Sequence, residues 1–418
     1  MVKPVTLDAG NAGSLTGKSF LFKLYQKTKY ELPVFMLLLL LYLPQKLSVT
    51  TDIYSMLHIF DYRIGFAPRL FIGSVMSLFT DYKSQAFMEQ FFFVVFILEA
   101  VLFAFVAGRI IRKAGDESKE IAALLIALFL AVPYSLASLY PRLLSVDRVL
   151  VIFTLSALIA LNKKGFKWLV PALIFMSLAT YTGYAFTYMP AVALLLIYEV
   201  TRNNHSKQNI LLCFFGFVTM AGFSAYFFLY EGVDNFNHVD DLVAYAAGKT
   251  DLPFVGYFKD VVDTLLIKSP ENLWNTTLAM DLHMRFYGEI TATIFLLPLI
   301  AVFVFLWINA IKASSNKFEK LVFVLGLLAP VARFPMFILS TNFYRGRIAV
   351  VVVQFFLIFY FLYTGNPAVT AAAKRLGEFF KNHFLLYLLL IAYFALAFFS
   401  FQTGEVWKDI RGALVGRV

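Results

Sequence analysis

Several charged side chains in this chain stand among large apolar and aromatic residues. The segment IFDYRIGFAPRLFIG, residues 59–73, contains Asp61, Arg63 and Arg69, and Asp52 lies shortly before it. A carboxylate in an apolar surround can accept the proton of an acceptor hydroxyl. The planar guanidinium group of arginine suits phosphate oxygens. These residue types are those of a site that binds phosphate and deprotonates a hydroxyl.

The spacing of the glycines in this segment suggests how a ligand could reach the arginine. If the chain is helical from Gly65 onward, Gly65, Arg69 and Gly73 lie on one helix face. Small residues on both sides of Arg69 would let a lipid phosphate or another helix approach it closely. The alternative for Asp61 and Arg63 is a simple ion pair at the membrane interface, with their apolar stems in the membrane.

Two further clusters of arginine occur beside apolar segments. SLYPRLLSVDRVL contains Arg142, which either joins a phosphate site or belongs to an ion pair that closes a turn. Arg333 lies within an apolar segment, where a charge costs at least about 3 kcal/mol, so we expect it to face the protein interior, a polar cavity or water at the helix end. Arg345 and Arg347 are placed in a short external loop, against the usual distribution of positive charge, and could bind the same phosphate.

The elements that position these residues are apolar. Of the 418 residues, 60% are hydrophobic and 15% charged, whereas soluble proteins are about 25% charged. With a mean hydropathy of +0.75, the sequence predicts an all-α, polytopic membrane protein with a single transmembrane domain, residues 1–418. The apolar segments predict about eleven spans, at 32–46, 86–108, 121–139, 148–162, 168–182, 185–200, 209–230, 288–311, 321–340, 348–364 and 384–401.

Lysine and arginine are concentrated in every second connection between these segments. This pattern predicts a cytoplasmic N-terminus and an external C-terminus. It also predicts two long external loops, at about 47–85 and 231–287, and the apolar residues of the first favour helices lying at the membrane surface. Asp52, Asp61, Arg63 and Arg69 then lie outside the membrane.

The sequence offers little for a cofactor. Cys213 is the single cysteine, so no cysteine cluster can hold a metal. His238, Asp240 and Asp241 could bind a metal, but acidic external loops are commonly just solvated, and we predict no metal site. The sequence contains no phosphate-binding Gly-Lys loop and no dinucleotide motif. Although the net charge is +10, the cations lie between apolar segments, so we expect membrane lipids and no nucleic acid as partners.

Short motifs resemble those of bacterial polytopic membrane proteins of surface-polysaccharide synthesis. DYRIGFAPRLFIG looks like their first-loop motif, TGYAFTYMPAVALLL like their turn-and-proline span, and YRGRIAVVVVQFFLIFYFL like the Gly-Arg start of a late span. In that late motif an acidic residue commonly stands two positions before the glycine, where this chain has Tyr344. The general layout is similar to integral-membrane glycosyltransferases of the GT-C type.

This resemblance implies a glycosyltransferase in the bacterial cytoplasmic membrane. The donor would be a sugar linked to polyprenyl phosphate and the acceptor a cell-surface glycan or lipid-linked glycan on the external face. Asp52 or Asp61 would be the catalytic base, and Arg63, Arg69, Arg142, Arg333, Arg345 and Arg347 would bind the donor phosphate. The sequence leaves two alternatives open, a polysaccharide polymerase of the O-antigen type and a transporter or flippase for lipid-linked glycans.

Overall fold

The described part of the chain folds into helices. The computed structural model describes residues 28–42, 53–116, 118–132, 134–136, 145–202, 206–230, 233, 236, 238–252, 258–266, 282–335 and 343–402. No strand occurs within these ranges, so the described part of the protein is all-α as predicted.

The α-helices of the described residues are numbered here in chain order. They are α1 (Glu31–Tyr42), α2 (Leu70–Ser77), α3 (Gln85–Lys113), α4 (Lys119–Ala131), α5 (Val146–Leu161), α6 (Leu169–Thr180), α7 (Met189–Arg202), α8 (Lys207–Tyr230), α9 (Val239–Ala247), α10 (Phe258–Leu266), α11 (Leu282–Ala313), α12 (Lys317–Leu328), α13 (Phe343–Thr364), α14 (Pro367–Asn382) and α15 (Phe384–Gln402). Short 3₁₀ helices cover Ile53–Ile59, Tyr62–Ile64, Thr182–Phe186 and Ala329–Arg333.

Four helices, α3, α8, α11 and α13, are long and apolar enough to cross a bilayer. Helices α14 and α15 could form a fifth span as a pair, although they meet at an angle of 103°. This is the architecture of a helical membrane protein. Each predicted apolar segment overlaps a helix, but α1, α6 and α12 have only 12 residues each in the described structure, or about 18 Å of helix. Because a bilayer core is about 30 Å thick, the full set of eleven spans stays a prediction.

Helix α13 lies at the centre of the bundle. In its apolar part 89% of the residues are buried inside the protein. Phe355 and Phe359 of this helix pack against Phe129 of α4, with ring centroids 5.1 and 5.5 Å apart, and Phe103 of α3 lies 5.0 Å from Phe129. Such aromatic pairs bury large apolar areas and fix the distances between the helices.

Helices α3 and α13 run in the same direction and define two ends of the bundle. Phe103 faces Phe359, and six residues further along α3 the guanidinium of Arg109 lies over the ring of Tyr363. The start of both helices is therefore at one end, which we name the loop end because residues 53–84 lead directly into α3. The other end, at Arg109 and Tyr363, is the distal end.

Helix α14 differs from the expected basic connection before the last span. It is amphipathic, with Ala368, Val369, Ala372, Ala373, Leu376 and Phe380 buried along one face. Asn366 caps its first turn by accepting the amide hydrogens of Ala368 and Val369 at 3.0 and 3.1 Å. The sequence prediction missed this helix because its lysines and arginine were interpreted only as a signal of orientation.

Candidate functional site

Asp61 is the centre of a buried polar network in the first long loop. Its side chain is 3% exposed. Arg63 donates to both carboxylate oxygens, from Nε to Oδ1 at 2.8 Å and from Nη2 to Oδ2 at 2.5 Å. Ser77 of α2 also donates to Oδ2, at 2.7 Å. The ion pair between Asp61 and Arg63, which the sequence left open as the alternative to a site role, is therefore present. Asp61 also holds α2 against the preceding 3₁₀ helices.

Lys83 completes this network after the end of α2. Its ammonium group is fully buried and donates to Asp61 Oδ2 at 3.1 Å and to the carbonyl oxygen of Ile59 at 2.6 Å. An uncompensated buried ammonium group is strongly unfavourable, so Lys83 depends on the carboxylate of Asp61. Sequence analysis did not single out Lys83, because nothing in its local pattern distinguishes it from a solvated lysine.

The network also determines the proton affinity of its members. Burial alone would raise the pKa of Asp61, but the hydrogen bonds from Arg63 and Ser77 outweigh it and hold the pKa well below 3.8. Burial lowers the pKa of Lys83, and the charge of Asp61 offsets part of that change. A carboxylate with a depressed pKa that already accepts several hydrogen bonds is a weak general base. This geometry favours a positioning role for Asp61.

The two loops predicted to be external pack against each other at the loop end. The backbone amide of Lys83 donates to the carbonyl oxygen of Lys249 at 2.7 Å, and Thr250 Oγ1 donates to the carbonyl oxygen of Lys83 at 2.7 Å. Asp251 accepts from the amide of Gln85 at 2.7 Å, at the start of α3. The two loops therefore lie on the same side of the protein.

The predicted arrangement of Gly65, Arg69 and Gly73 on one helix face is wrong. Helix α2 begins at Leu70, and Arg69 precedes it in the left-handed conformation with φ of 75°. Gly73 does allow a close approach, but the group that approaches is protein backbone. A Cβ atom there would overlap the carbonyl oxygen of Phe60 and lie 2.6 Å from that of His58. The guanidinium of Arg69 lies 6.0 Å from the ring centroid of Tyr181.

The second cluster contains a fully buried ion pair. Arg148 of α5 donates to Glu99 of α3 at 2.6 Å, and the two side chains are 0% and 1% exposed. The guanidinium also lies 5.3 Å from the ring centroid of Phe96. Arg142 lies outside the described residues, so its predicted role is untested.

The third cluster brings two of the predicted phosphate ligands together. Arg333 Nη2 donates to Glu289 Oε1 at 2.6 Å, and Arg347 Nε donates to the same oxygen at 3.0 Å. Their side chains are 14%, 16% and 21% exposed for Arg333, Arg347 and Glu289 respectively. The missing side chain of Gly346 allows Arg333 to pack against α13, since a Cβ there would lie 2.5 Å from Arg333 Nε. The three side chains form a compact charged group at the loop end.

This charged group lines a cavity of about 320 Å³ between α11, α12 and α13. Apart from the charged group, Thr293 and Gln354, the wall is apolar; it includes Leu296, Leu299, Ile300, Phe303, Val304, Leu327, Val350 and Val351. Arg333 thus faces a cavity, one of the outcomes expected from its sequence. The cavity combines a cationic group with an apolar chamber of a size suited to a few methyl-branched chain units.

Gln354 is a polar residue of the cavity wall, and two hydrogen bonds hold its side chain in place. It accepts a hydrogen bond from Trp307 Nε1 at 2.7 Å and donates to the carbonyl oxygen of Gly326 at 2.8 Å. The indole ring packs directly on Gly326, where a Cβ atom would lie 2.9 Å from its nearest carbon. These bonds join α11, α12 and α13, the three helices that enclose the cavity.

Arg345 and Arg347 do not lie in the predicted external loop, and one predicted base lies outside the described residues. Arg347, and with it the backbone of Arg345, belongs to the first turns of α13 rather than to a loop, because the helix begins at Phe343. Nothing is described for the side chain of Arg345, and Asp52 lies outside the described residues.

Glu289 was missed by sequence analysis. Its signal was an acidic residue at the edge of a long apolar segment, where ionisable groups are commonly functional.

Asp240, one of the residues considered for metal binding, has a protein partner. Asp240 forms an ion pair with Lys259 at 2.5 Å. No group of three metal-binding side chains occurs in the described part of the chain.

Comparisons of the chain with family models, curated proteins and solved structures find no match.

Proposed function

We propose that the protein is a membrane glycosyltransferase that transfers a sugar from a polyprenyl-phosphate donor to a glycan acceptor at the outer face of the bacterial cytoplasmic membrane. The observation that carries this proposal is the cavity with Arg333, Arg347 and Glu289 at its polar part and apolar side chains around the rest. An amphipathic ligand with an anionic group and a branched apolar chain matches both parts. The phosphate is the leaving group, so the reaction needs no nucleotide site.

The chemistry is a substitution at the anomeric carbon of the sugar. The acceptor oxygen forms a bond to this carbon while the bond between the carbon and the phosphate oxygen breaks. The electron pair of the broken bond leaves with the lipid phosphate, and a carboxylate takes the proton of the acceptor hydroxyl. Arg333 and Arg347 would stabilise the charge that develops on the phosphate. Glu289 orients both guanidinium groups, since its Oε1 accepts a hydrogen bond from each.

The residues of the first loop take different roles in this proposal. Asp61 positions the loop, because its oxygens are engaged by Arg63, Ser77 and Lys83. Asp52 is then the better candidate for the base, and Arg69, at Tyr181, would contact the acceptor or donor from the loop side. The acceptor itself could be a growing lipid-linked glycan, which would make the enzyme a polymerase of the O-antigen type by the same chemistry.

The donor site is tested with Arg347→Gln and Arg333→Gln in the purified protein, with undecaprenyl phosphate as the probe and undecaprenol as the uncharged control. A hydrogen bond to a charged group contributes about 1.5–3 kcal/mol, so each variant should bind the phosphate at least about tenfold more weakly and bind undecaprenol unchanged. Arg375→Gln is the matched control, since Arg375 of α14 contacts Asn309 and does not line the cavity. Unchanged phosphate binding in both cavity variants would exclude this site.

A transporter of anionic lipid-linked glycans is the second candidate, and the Glu99–Arg148 pair favours it. Opposite charges buried between α3 and α5, together with those of the cavity, place charge on several helices of the bundle. Charges inside membrane helices commonly mark the path of a substrate or ion. The two functions separate in proteoliposomes loaded with lipid-linked sugar and acceptor. A new glycosidic bond supports the transferase, whereas movement of the glycan between leaflets without that bond supports the transporter.

A further inference from the structure

A second cluster of cations lies at the distal end of the bundle. Arg109 and Lys113 come from the last turns of α3, and Arg202 ends α7. The guanidinium of Arg109 stacks on the ring of Tyr363 at 4.6 Å from its centroid. Lys113 lies beside the end of α13, with its Nζ 3.9 Å from the position of a Cβ on Gly365. Arg109 and Lys113 thus both lie against the end of α13.

Two carboxylates near this cluster already have cationic partners. Glu31, which lies against Gly108, pairs with Arg112. Glu199 accepts hydrogen bonds from Arg202 at 3.1 Å, Lys167 at 2.9 Å and Tyr360 at 2.6 Å. Tyr360 lies three positions before Tyr363 on α13, so Glu199 and its partner Arg202 lie about one helical turn from the ring on which Arg109 stacks. The cluster as a whole carries more positive than negative charge, which makes it attractive to an anion.

Arg109 is also held in an orientation that leaves a donor unused. Its Nε is buried and has no hydrogen-bond partner among the described residues. A buried donor without a partner is rare in proteins, and a bound ion or water is one of the groups that satisfy it. A cation that served only to set membrane orientation would need neither the aromatic stack nor a buried donor.

From these observations we propose that Arg109, Lys113 and Arg202 form a phosphate-binding site at the distal end. The site is separate from the cavity, because Arg347 and Tyr363 are sixteen positions apart on α13, or about 24 Å. Basic pockets between membrane helices bind the headgroups of anionic lipids. The phosphate comes either from such a headgroup or from a soluble phosphate, and both sources use the same contacts.

The proposal is tested by native mass spectrometry of the full-length protein in detergent, titrated with phosphatidylglycerol, phosphatidylcholine or inorganic phosphate. One cation near a headgroup phosphate changes affinity about fivefold. Arg109→Gln and Lys113→Gln should each weaken binding by about this factor, and the double variant by about 25-fold. Lys164→Gln is the matched control, because Lys164 is an exposed lysine in the connection after α5, with no part in the cluster.

The arms of the titration separate the two sources of phosphate. Binding of phosphatidylglycerol that exceeds binding of phosphatidylcholine and resists competing inorganic phosphate assigns the site to a lipid headgroup. Saturable binding of inorganic phosphate that the double variant loses assigns it to a soluble phosphate. Equal binding of every probe by the wild type and the double variant, when both have the same melting temperature, would overturn the site. The experiment does not depend on the proposed glycosyltransferase activity, which neither variant tests.

Discussion

Replacing Asp61 by asparagine should destabilise the protein because it leaves buried Lys83 without a counter-charge. Lys83 is fully buried, and Asp61 is its carboxylate partner. The variant keeps the size of the side chain and one acceptor oxygen, but it leaves the ammonium group without a counter-charge. Removing one partner of a buried pair costs about 3–5 kcal/mol. The loss should appear as a lower melting temperature of the purified protein in detergent.

Arg63→Gln is the matched control for this prediction. Arg63 also binds Asp61, but its side chain is 45% exposed and can turn to water. Exposed pairs contribute about 0.2–1 kcal/mol. The free energy of unfolding should therefore fall several times less in Arg63→Gln than in Asp61→Asn, although each variant removes one charge from the same network.

The double variant Asp61→Asn, Lys83→Met separates a positioning role from a catalytic one. Without the buried ammonium group, the introduced asparagine no longer leaves a charge unpaired, so at least half of the lost stability should return. If Asp61 only positions the loop, sugar transfer should return with it. A double variant that is stable but inactive would show that Asp61 is the base, and an Asp61→Asn protein as stable as the wild type would refute the reasoning about Lys83.

Further predictions concern acid stability, backbone packing and two buried side chains. Because the pKa of Asp61 is lowered in the folded protein, its contribution to the free energy of unfolding is complete above about pH 4 and is lost as the pH falls below that value. Unfolding of the wild type followed by circular dichroism should show this loss of stability, and Asp61→Asn should lack this part of it. Gly73→Ala should reduce the free energy of unfolding by about 1–3 kcal/mol or more and so lower the melting temperature, because the added Cβ forces the backbone of Phe60 away. Gly222→Ala meets open space and should leave the melting temperature unchanged. Equal melting temperatures of the two variants would contradict the contact at Gly73. Gln354→Leu leaves the buried Trp307 N–H unpaired, at a cost of about 1–3 kcal/mol, whereas the Gly326 carbonyl keeps the amide hydrogen of Ala329. A shifted tryptophan emission and a lower melting temperature would report this loss. Glu199→Gln should cost about 3–5 kcal/mol by leaving buried Lys167 without a counter-charge, although Lys167 keeps its hydrogen bond to Asn209. Thermal unfolding as in the wild type would argue against that pair.

Hydropathy predicted where the apolar helices lie but not how long they are. Apolar composition marks the centre of a helix, whereas its ends depend on caps such as Ser84, which accepts the amide hydrogen of Phe87 at the start of α3. The amphipathic helix α14 has a mixture of small apolar and basic residues that averages to a polar value. A hydropathy window therefore cannot detect it, although its buried face is regular.

The sequence identified most of the arginines but not the group they form. Arg333 and Arg347 stood out because they break an apolar pattern or a charge rule. Their common partner Glu289 lies 44 and 58 positions away, and only tertiary packing brings it between them. Local spacing was misleading for Gly73, since a small residue permits close approach without specifying whether ligand or backbone approaches. Lys83 had no local signal at all.

The proposed function requires that Arg333 and Arg347 hold the phosphate of a lipid donor. The most direct measurement is an electron cryo-microscopy structure of the protein in a lipid nanodisc with undecaprenyl phosphate. We expect phosphate density within hydrogen-bond distance of both guanidinium groups, with the first isoprenyl units against Leu296 and Val350 of the cavity wall. Phosphate density at Arg69 with the cavity empty of lipid would contradict it.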